Sequence, residues 1–259
     1  MSSSVSFAGS GNLAWHLAPA LDNAGYSVRE VYSRNPSHAA ALVERLYEAE
    51  VKATLDFSTS DSRLFIIAVS DDAIEEVARE IILPDDAILV HTSGSQSLSK
   101  LGYAATPDIG VFYPLQTFSK TRKIDFNDLP IFIESESEGV EKILIKMGHA
   151  ISRQVFSIDS DKRKALHVAA VFASNFTNHM LRISKQVADQ NDLDFDWLKP
   201  LIAEALNKSL AIGPEQAQTG PAKRGDLETL DRHMAFLQQD EKLAELYRVI
   251  SQHIVDSNE

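Results

Sequence analysis

The chain has 259 residues, 44% hydrophobic and 24% charged, with 37 acidic against 25 basic side chains and no cysteine. That length and balance describe one large or two modest globular domains. The net charge of −12 argues against a nucleic-acid partner, and the missing thiols exclude disulfides and thiolate metal sites while fitting a reducing cytoplasm. The longest apolar run, Leu64 to Val69, falls far short of the ~20 residues of a membrane-spanning helix, and the first four residues carry no export signal.

From Val5 to about Phe156 short apolar runs alternate with helical spacing. Residues 5–8, 28–32, 64–69, 87–91, 109–112, 131–133 and 153–156 read as strands, several of them nearly continuous in Val, Ile, Leu and Phe, the pattern of parallel strands covered on both faces. Residues 13–24, 36–50, 71–82 and 136–150 read as helices between them, which predicts an α/β class with a doubly wound Rossmann sheet. Beyond Ser157 the strand signal stops. Residues 160–191, 196–212 and 227–256 carry helical spacing, interrupted at Asp192, Gly213-Pro214 and 220–225, so the chain divides into a nucleotide-binding domain at 1–155 and an all-helical domain at 156–259. The first of these helices is apolar around much of its circumference, from Ala165 to Ala173, and the spacing predicts burial on several sides and a homodimer.

The segment Gly9-Ser10-Gly11-Asn12-Leu13-Ala14 places a G-x-G-x-x-A pattern between the first strand and the first helix. Gly9 allows the tight turn, Gly11 lets backbone approach a pyrophosphate, and Ala14 permits close helix packing, with Ser10, Asn12 and Leu13 completing the turn. The second strand ends Tyr32-Ser33-Arg34-Asn35, without the carboxylate that usually holds an NAD ribose. Arg34, flanked by Ser33 and Asn35, suits a 2′-phosphate and points to NADP, although Arg34 also reads as an ordinary loop cation. Glu30 lies within the strand, not at its tip. Val69 and Ser70, ending the third predicted strand, are expected along the same cofactor groove.

Four segments, Gly9 to Ala14, His91-Thr92-Ser93-Gly94, Tyr113 to Phe118 and Gly220 to Asp226, together with His167 to Asn175, resemble a bacterial family of NADP-dependent oxidoreductases. That family couples a Rossmann-like domain to a helical C-terminal domain and is related to pyrroline-5-carboxylate reductase and to the deazaflavin-dependent NADP reductases. The helical half is similar in kind to the C-terminal domain of 6-phosphogluconate dehydrogenase. Relatives commonly carry His where this chain has Tyr113. The resemblance implies that Ser93 and Gly94 lie near the nicotinamide and that Arg224, in a turn between helices, clamps a substrate anion.

In an α/β sheet ligands bind beyond the carboxyl ends of the strands, which directs attention to Tyr113 as a hydrogen-bond donor and Gln116 as an orienting amide. On the long helix Lys164 and Asn175 are eleven residues apart, almost three turns, and His167 is one turn along, an imidazole that can act in proton transfer. With the resemblance, which implies a catalytic role for this helix, the expected catalytic set is His167, Asn175 and Tyr113, with Ser93, Gly94, Gln116, Lys164 and Arg224 binding substrate and no metal. These residues read equally as a satisfied core histidine, a half-buried tyrosine and capping or loop groups. The expected activity is hydride transfer between NADP(H) and a small, anionic carbonyl or imine; a non-catalytic dinucleotide-binding protein is the alternative. Residues 1–155 hold 21 acidic and 13 basic side chains and residues 156–259 hold 16 and 12. Against that background three basic clusters, at 120–123, 162–164 and 223–224, flank the predicted crevice.

Overall fold

The computed structural model describes residues 4–257. Its first part runs β1 (Ser4–Ala8), α1 (Asn12–Asn23), β2 (Ser27–Tyr32), α2 (Pro36–Val43), β3 (Glu50–Lys52), β4 (Leu64–Ile67), α3 (Ile74–Glu80), β5 (Ile88–His91), β6 (Ile109–Pro114), β7 (Ile131–Glu134), α4 (Glu138–Ile151) and β8 (Val155–Ser157). The strands form one eight-stranded sheet in the order β3-β2-β1-β4-β5-β6-β7-β8. Every residue of β1, β4 and β5 is buried, the reason these strands are unbroken apolar runs. One face carries α1 and α4 over Val5, Phe7, Ile66, Phe112 and Ile131. The other carries α3 over Phe65, Ile67, Leu89 and Val111. This is a Rossmann-type α/β sheet covered on both sides.

Three elements differ from the sequence pattern. The helix expected over 36–50 stops at Val43, and Glu50 to Lys52 instead pairs parallel with Glu30 to Tyr32 as an edge strand. The chain is turned there by Asp22, whose carboxylate accepts from the Tyr47 and Val28 amides at 2.8 and 3.2 Å. Strand β7 runs antiparallel to β6, since the segment joining them contains no crossover helix. The predicted helix 227–256 is two helices, α10 (Leu227–Phe236) and α11 (Glu241–Asp256), because Asp240 caps the second by accepting from the Leu243 amide at 3.0 Å.

The long helix begins as α5 (Ser160–Ala170), passes through a π-helical segment at Val171–Phe176 and continues as α6 (Thr177–Asp189). It is followed by α7 (Lys199–Ile212), α8 (Pro214–Ala217) and α9 (Pro221–Arg224) before α10 and α11. The chain forms two compact units, Met1–His179 and Met180–Glu259, so the division falls inside the long helix rather than at the expected 155/156 join. The expected burial of the first helix is not met within the chain: α5 buries only Arg163, while Val168 and Phe172 are exposed. Among the described residues no helix is long and apolar enough to cross a membrane.

Candidate functional site

A cleft of about 790 Å³ runs along the carboxyl ends of the parallel strands in the first unit. At its centre Gly9 adopts φ +118°, and a β-carbon there would come 2.3 Å from the Ala68 carbonyl oxygen. Only glycine fits this turn. Gly11 is different, because a β-carbon would meet Ala68 at an ordinary 3.7 Å; its bareness leaves room for a ligand instead of relieving a clash. Ala14 is fully buried, which allows α1 to pack closely on the sheet. No side chain caps α1 and its first turn has no acidic residue, so the amides following Gly11 and the positive end of the helix dipole remain available to an anion.

Toward one end of the cleft lie Ser33, Arg34 and Asn35. Among the described residues Arg34 makes no ion pair, and it is exposed. Asn35 is partly committed, its side-chain oxygen accepting from the Ser37 amide at 3.1 Å to cap α2. Glu30 is buried in a closed network: it pairs with Lys52 at 2.9 Å, accepts from Ser6 at 3.0 Å and also accepts from Ser60. Its carboxylate is thus withdrawn from any ribose.

At the other end Thr92, Ser93, Gly94, Tyr113 and His167 line the same cleft. Tyr113, at the end of β6, shares a hydrogen bond of 3.2 Å with His167 Nδ1, their rings edge to face at 6.1 Å. Gly94 is wedged against the couple, because a β-carbon there would lie 2.5 Å from Tyr113 Cζ and 2.6 Å from His167 Nδ1. Burial pushes the Tyr113 hydroxyl above its ordinary pKa and keeps it protonated. The loop beneath is fixed by Arg163, a fully buried side chain that donates to the carbonyls of Ser93 at 2.9 Å and Gly94 at 3.0 Å and pairs with Glu134 at 2.8 Å. His91 closes the floor by accepting from the Ser93 amide at 3.1 Å. Burial, with the Arg163 charge beside it, pushes His91 down to about 3, so it stays neutral.

Several known proteins are similar to this chain. Residues 4–94 match the family model described as NADP oxidoreductase, coenzyme F420-dependent, and residues 129–254 match a domain of unknown function, DUF2520. A candidate NADP oxidoreductase of Bacteroides fragilis is 36% identical over 98% of both chains, with a TM-score of 0.89. The chain belongs to this NADP oxidoreductase family. A Thermotoga maritima protein is 24% identical over 98% of both chains with a TM-score of 0.73. A pyrroline-5-carboxylate reductase of Coxiella burnetii, 14% identical over 100% of this chain and 98% of its own, shares the fold with a TM-score of 0.59. None of the curated proteins matches the sequence.

As a member of this family the protein has NADP as its cofactor, and the residues fit it. Gly9, Ser10, Gly11, Asn12 and Leu13 present the glycine turn and open amides, Arg34 is a cation at the end of β2 with no ion pair among the described residues, and Val69 and Ser70 line the cleft. All ten residues expected to hold the cofactor border the cleft, as do His167, Tyr113, Ser93 and Gly94. The remaining expected residues do not. Gln116 and Lys164 are exposed outside it; Ser93, which does border it, uses its hydroxyl to accept from the Ser95 and Gln96 amides at 3.1 Å each, capping the next turn. Asn175 is also exposed outside the cleft: it sits in the π-helical segment, where each residue advances less than the roughly 100° of an α-helix, so the eleven-residue count from Lys164 no longer places the two on one face. Arg224 is exposed in the second unit, 4.0 Å from Asp226, whose carboxylate caps α10 through the Thr229 amide.

Sequence reasoning missed Arg163 and Glu134 as parts of the site. Arg163 was visible as one of a run of three cations, yet it is fully buried while Lys162 pairs with Asp159 on the surface. The available signal was a charged residue one helical turn before His167 on so apolar a helix.

Proposed function

We propose that this protein is an NADP-dependent oxidoreductase that transfers a hydride between NADP(H) and a small, anionic carbonyl or imine substrate, acting as a homodimer in the cytoplasm. The observation that carries the reading is the Tyr113–His167 couple, hydrogen-bonded at 3.2 Å in the cleft that also holds the dinucleotide turn. NADP, when bound, supplies or accepts the hydride. The protein's part is to place the reacting atom beside Gly94 and manage the proton. The protonated Tyr113 hydroxyl donates to the substrate oxygen or nitrogen, and His167 passes a proton to Tyr113 through Nδ1. Gly94, bare of a side chain, leaves the couple accessible from the cleft, and Arg163 holds the Ser93–Gly94 carbonyls away from the reacting atoms.

The anionic substrate and the dimer are read together. Arg163 is consumed by Glu134, and the two cations bordering the cleft, Arg34 and Lys120, lie where the cofactor's phosphates would be, which leaves Lys164 and Arg224 on the surface as cations for a substrate anion. Asn175, Gln116, Lys164 and Arg224, all exposed outside the cleft, would contribute to a site completed by a second copy. Exposed Val168, Phe172 and Phe176 give a second copy an apolar face to cover.

The test is NADPH oxidation against a panel of keto acids and cyclic imines, with Tyr113→Phe and His167→Gln beside the wild type. Turnover should fall at least ~100-fold in each variant while NADPH affinity is retained. Uniform inactivity of the wild type across the panel, with NADPH bound, would leave a dinucleotide-binding protein without turnover. Arg34→Ala should remove the preference for NADPH over NADH, and equal wild-type affinities would overturn the role given to Arg34.

A further inference from the structure

NADP brings phosphate charge to two places, the 2′-phosphate and the pyrophosphate, and this chain offers them an acidic background. Of the side chains bordering the cleft, Asp71, Glu76 and Glu80 are acidic, and just two, Arg34 and Lys120, carry a fixed positive charge. Arg34 stands at the end of β2. Lys120 belongs to the connection between β6 and β7 and lies elsewhere: its Nζ sits 4.7 Å from the centre of the Trp15 ring, and the Trp15 amide donates to the Gly11 carbonyl at 2.9 Å in the first turn of α1. Lys120 has no acidic partner among the described residues.

The position of Lys120 is built. His16, buried on α1, bonds through Nε2 to the Ser119 carbonyl at 2.9 Å, and its ring lies 5.8 Å from that of Phe118, which stacks on Phe126 at 6.2 Å. The Arg122 amide donates back to the Ser119 carbonyl at 3.2 Å, so Lys120 occupies the tip of a turn pinned at its base to α1. On the other side Trp15 is held by Arg45, whose guanidinium is 4.2 Å from the ring centre. A cation fixed over the first turn of a helix with open amides suits an anion bound at that helix terminus.

We propose that Lys120 is a cofactor-binding residue that pairs with the NADP pyrophosphate, carried to α1 by the β6–β7 connection and secured there by His16. This rests on the cleft being an NADP site. It divides the two cations between two phosphates: Arg34 distinguishes NADP from NAD, and Lys120 serves both dinucleotides alike.

The test is titration of NADPH and of NADH, followed by nicotinamide fluorescence, on the wild type and on Lys120→Gln, Lys120→Arg and Arg34→Ala. Lys120→Gln is expected to weaken both dinucleotides by about tenfold and by the same factor, Lys120→Arg to retain most of the affinity, and Arg34→Ala to weaken NADPH alone. Unchanged affinity for both dinucleotides in Lys120→Gln overturns the proposal, and so does a loss confined to NADPH, which would move Lys120 to the 2′-phosphate. Failure of the wild type to bind either dinucleotide is a different result, because it removes the NADP reading itself and this inference with it.

Discussion

The sheet and the last eighty residues dispose of their apolar side chains in opposite ways. Within the sheet Val5, Phe7, Ile66 and Val90 are fully buried, and both faces are covered by the same chain's helices. In residues 180–259 only Ala188 and Ala222 are buried among the described residues, while Trp197, Leu201, Leu210, Leu227 and Phe236 are exposed, Leu210 to 86%. In that region α10 and α11 are amphipathic and capped by Asp226 and Asp240, so their local structure is specified; among the described residues nothing within the region itself covers the apolar side chains. The cleft, the glycine turn and the Tyr113–His167 couple all belong to the self-sufficient region. The cleft and the Tyr113–His167 couple therefore depend on packing within the first region, whereas the proposed part of Arg224 or Asn175 in binding substrate rests on the proposed association.

The largest effect is expected from the buried ion pair inside the first region. Arg163→Met leaves the Glu134 carboxylate without its partner and frees the Ser93 and Gly94 carbonyls, and should cost about 3–5 kcal/mol in urea unfolding. Adding Glu134→Gln should recover part of that loss, because the stranded charge is then gone. An unfolding midpoint for Arg163→Met equal to that of the wild type would show that the floor of the site is held by packing alone.

Much of the first region is legible in the sequence because each buried strand is an apolar run and each crossover helix keeps its own period. The phosphate turn is legible for the same reason, with Gly9 required by backbone geometry that only glycine satisfies. The edge strand Glu50–Lys52 is not, since a three-residue pairing made by Asp22 and the Tyr47 amide leaves no periodicity. Arg163 was hidden because a cation run reads as solvated surface, and its burial depends on Glu134, 29 positions earlier. Asn175 was misplaced because α-helical arithmetic was carried across a π-helical segment that the local residue types do not announce.

A smaller effect, again confined to the first region, comes from pH. His91 is held at about 3 in the folded chain against an ordinary 6.5. Between those values the unfolded chain takes up a proton that the folded chain does not, so stability rises with pH and is lost as pH falls below 6.5. The loss amounts to about 1.4 kcal/mol per pH unit, or roughly 2 kcal/mol on going from pH 8 to pH 5. Urea unfolding at the two pH values should show that difference in the wild type and a slope flatter by the same amount in His91→Asn. Identical slopes would mean that His91 is solvated in the folded protein.

The smallest effect on the chain's own stability is expected from Leu210→Ser in the second region. With 86% of Leu210 exposed, the substitution removes almost no contact within the chain and should change monomer unfolding by no more than about 0.5 kcal/mol. What it alters is the apolar face. If a second copy covers Leu210, each protomer loses on the order of 1.5–3 kcal/mol of burial, enough to raise the dimer dissociation constant by at least tenfold. Light scattering across a dilution series reads this directly: a dimeric wild type and a variant that dissociates at higher concentration support association through this face. A variant with the wild type's dissociation curve would place the dimer contact elsewhere, and a monomeric wild type would break the comparison, because the second region would then stand with its apolar side chains in water.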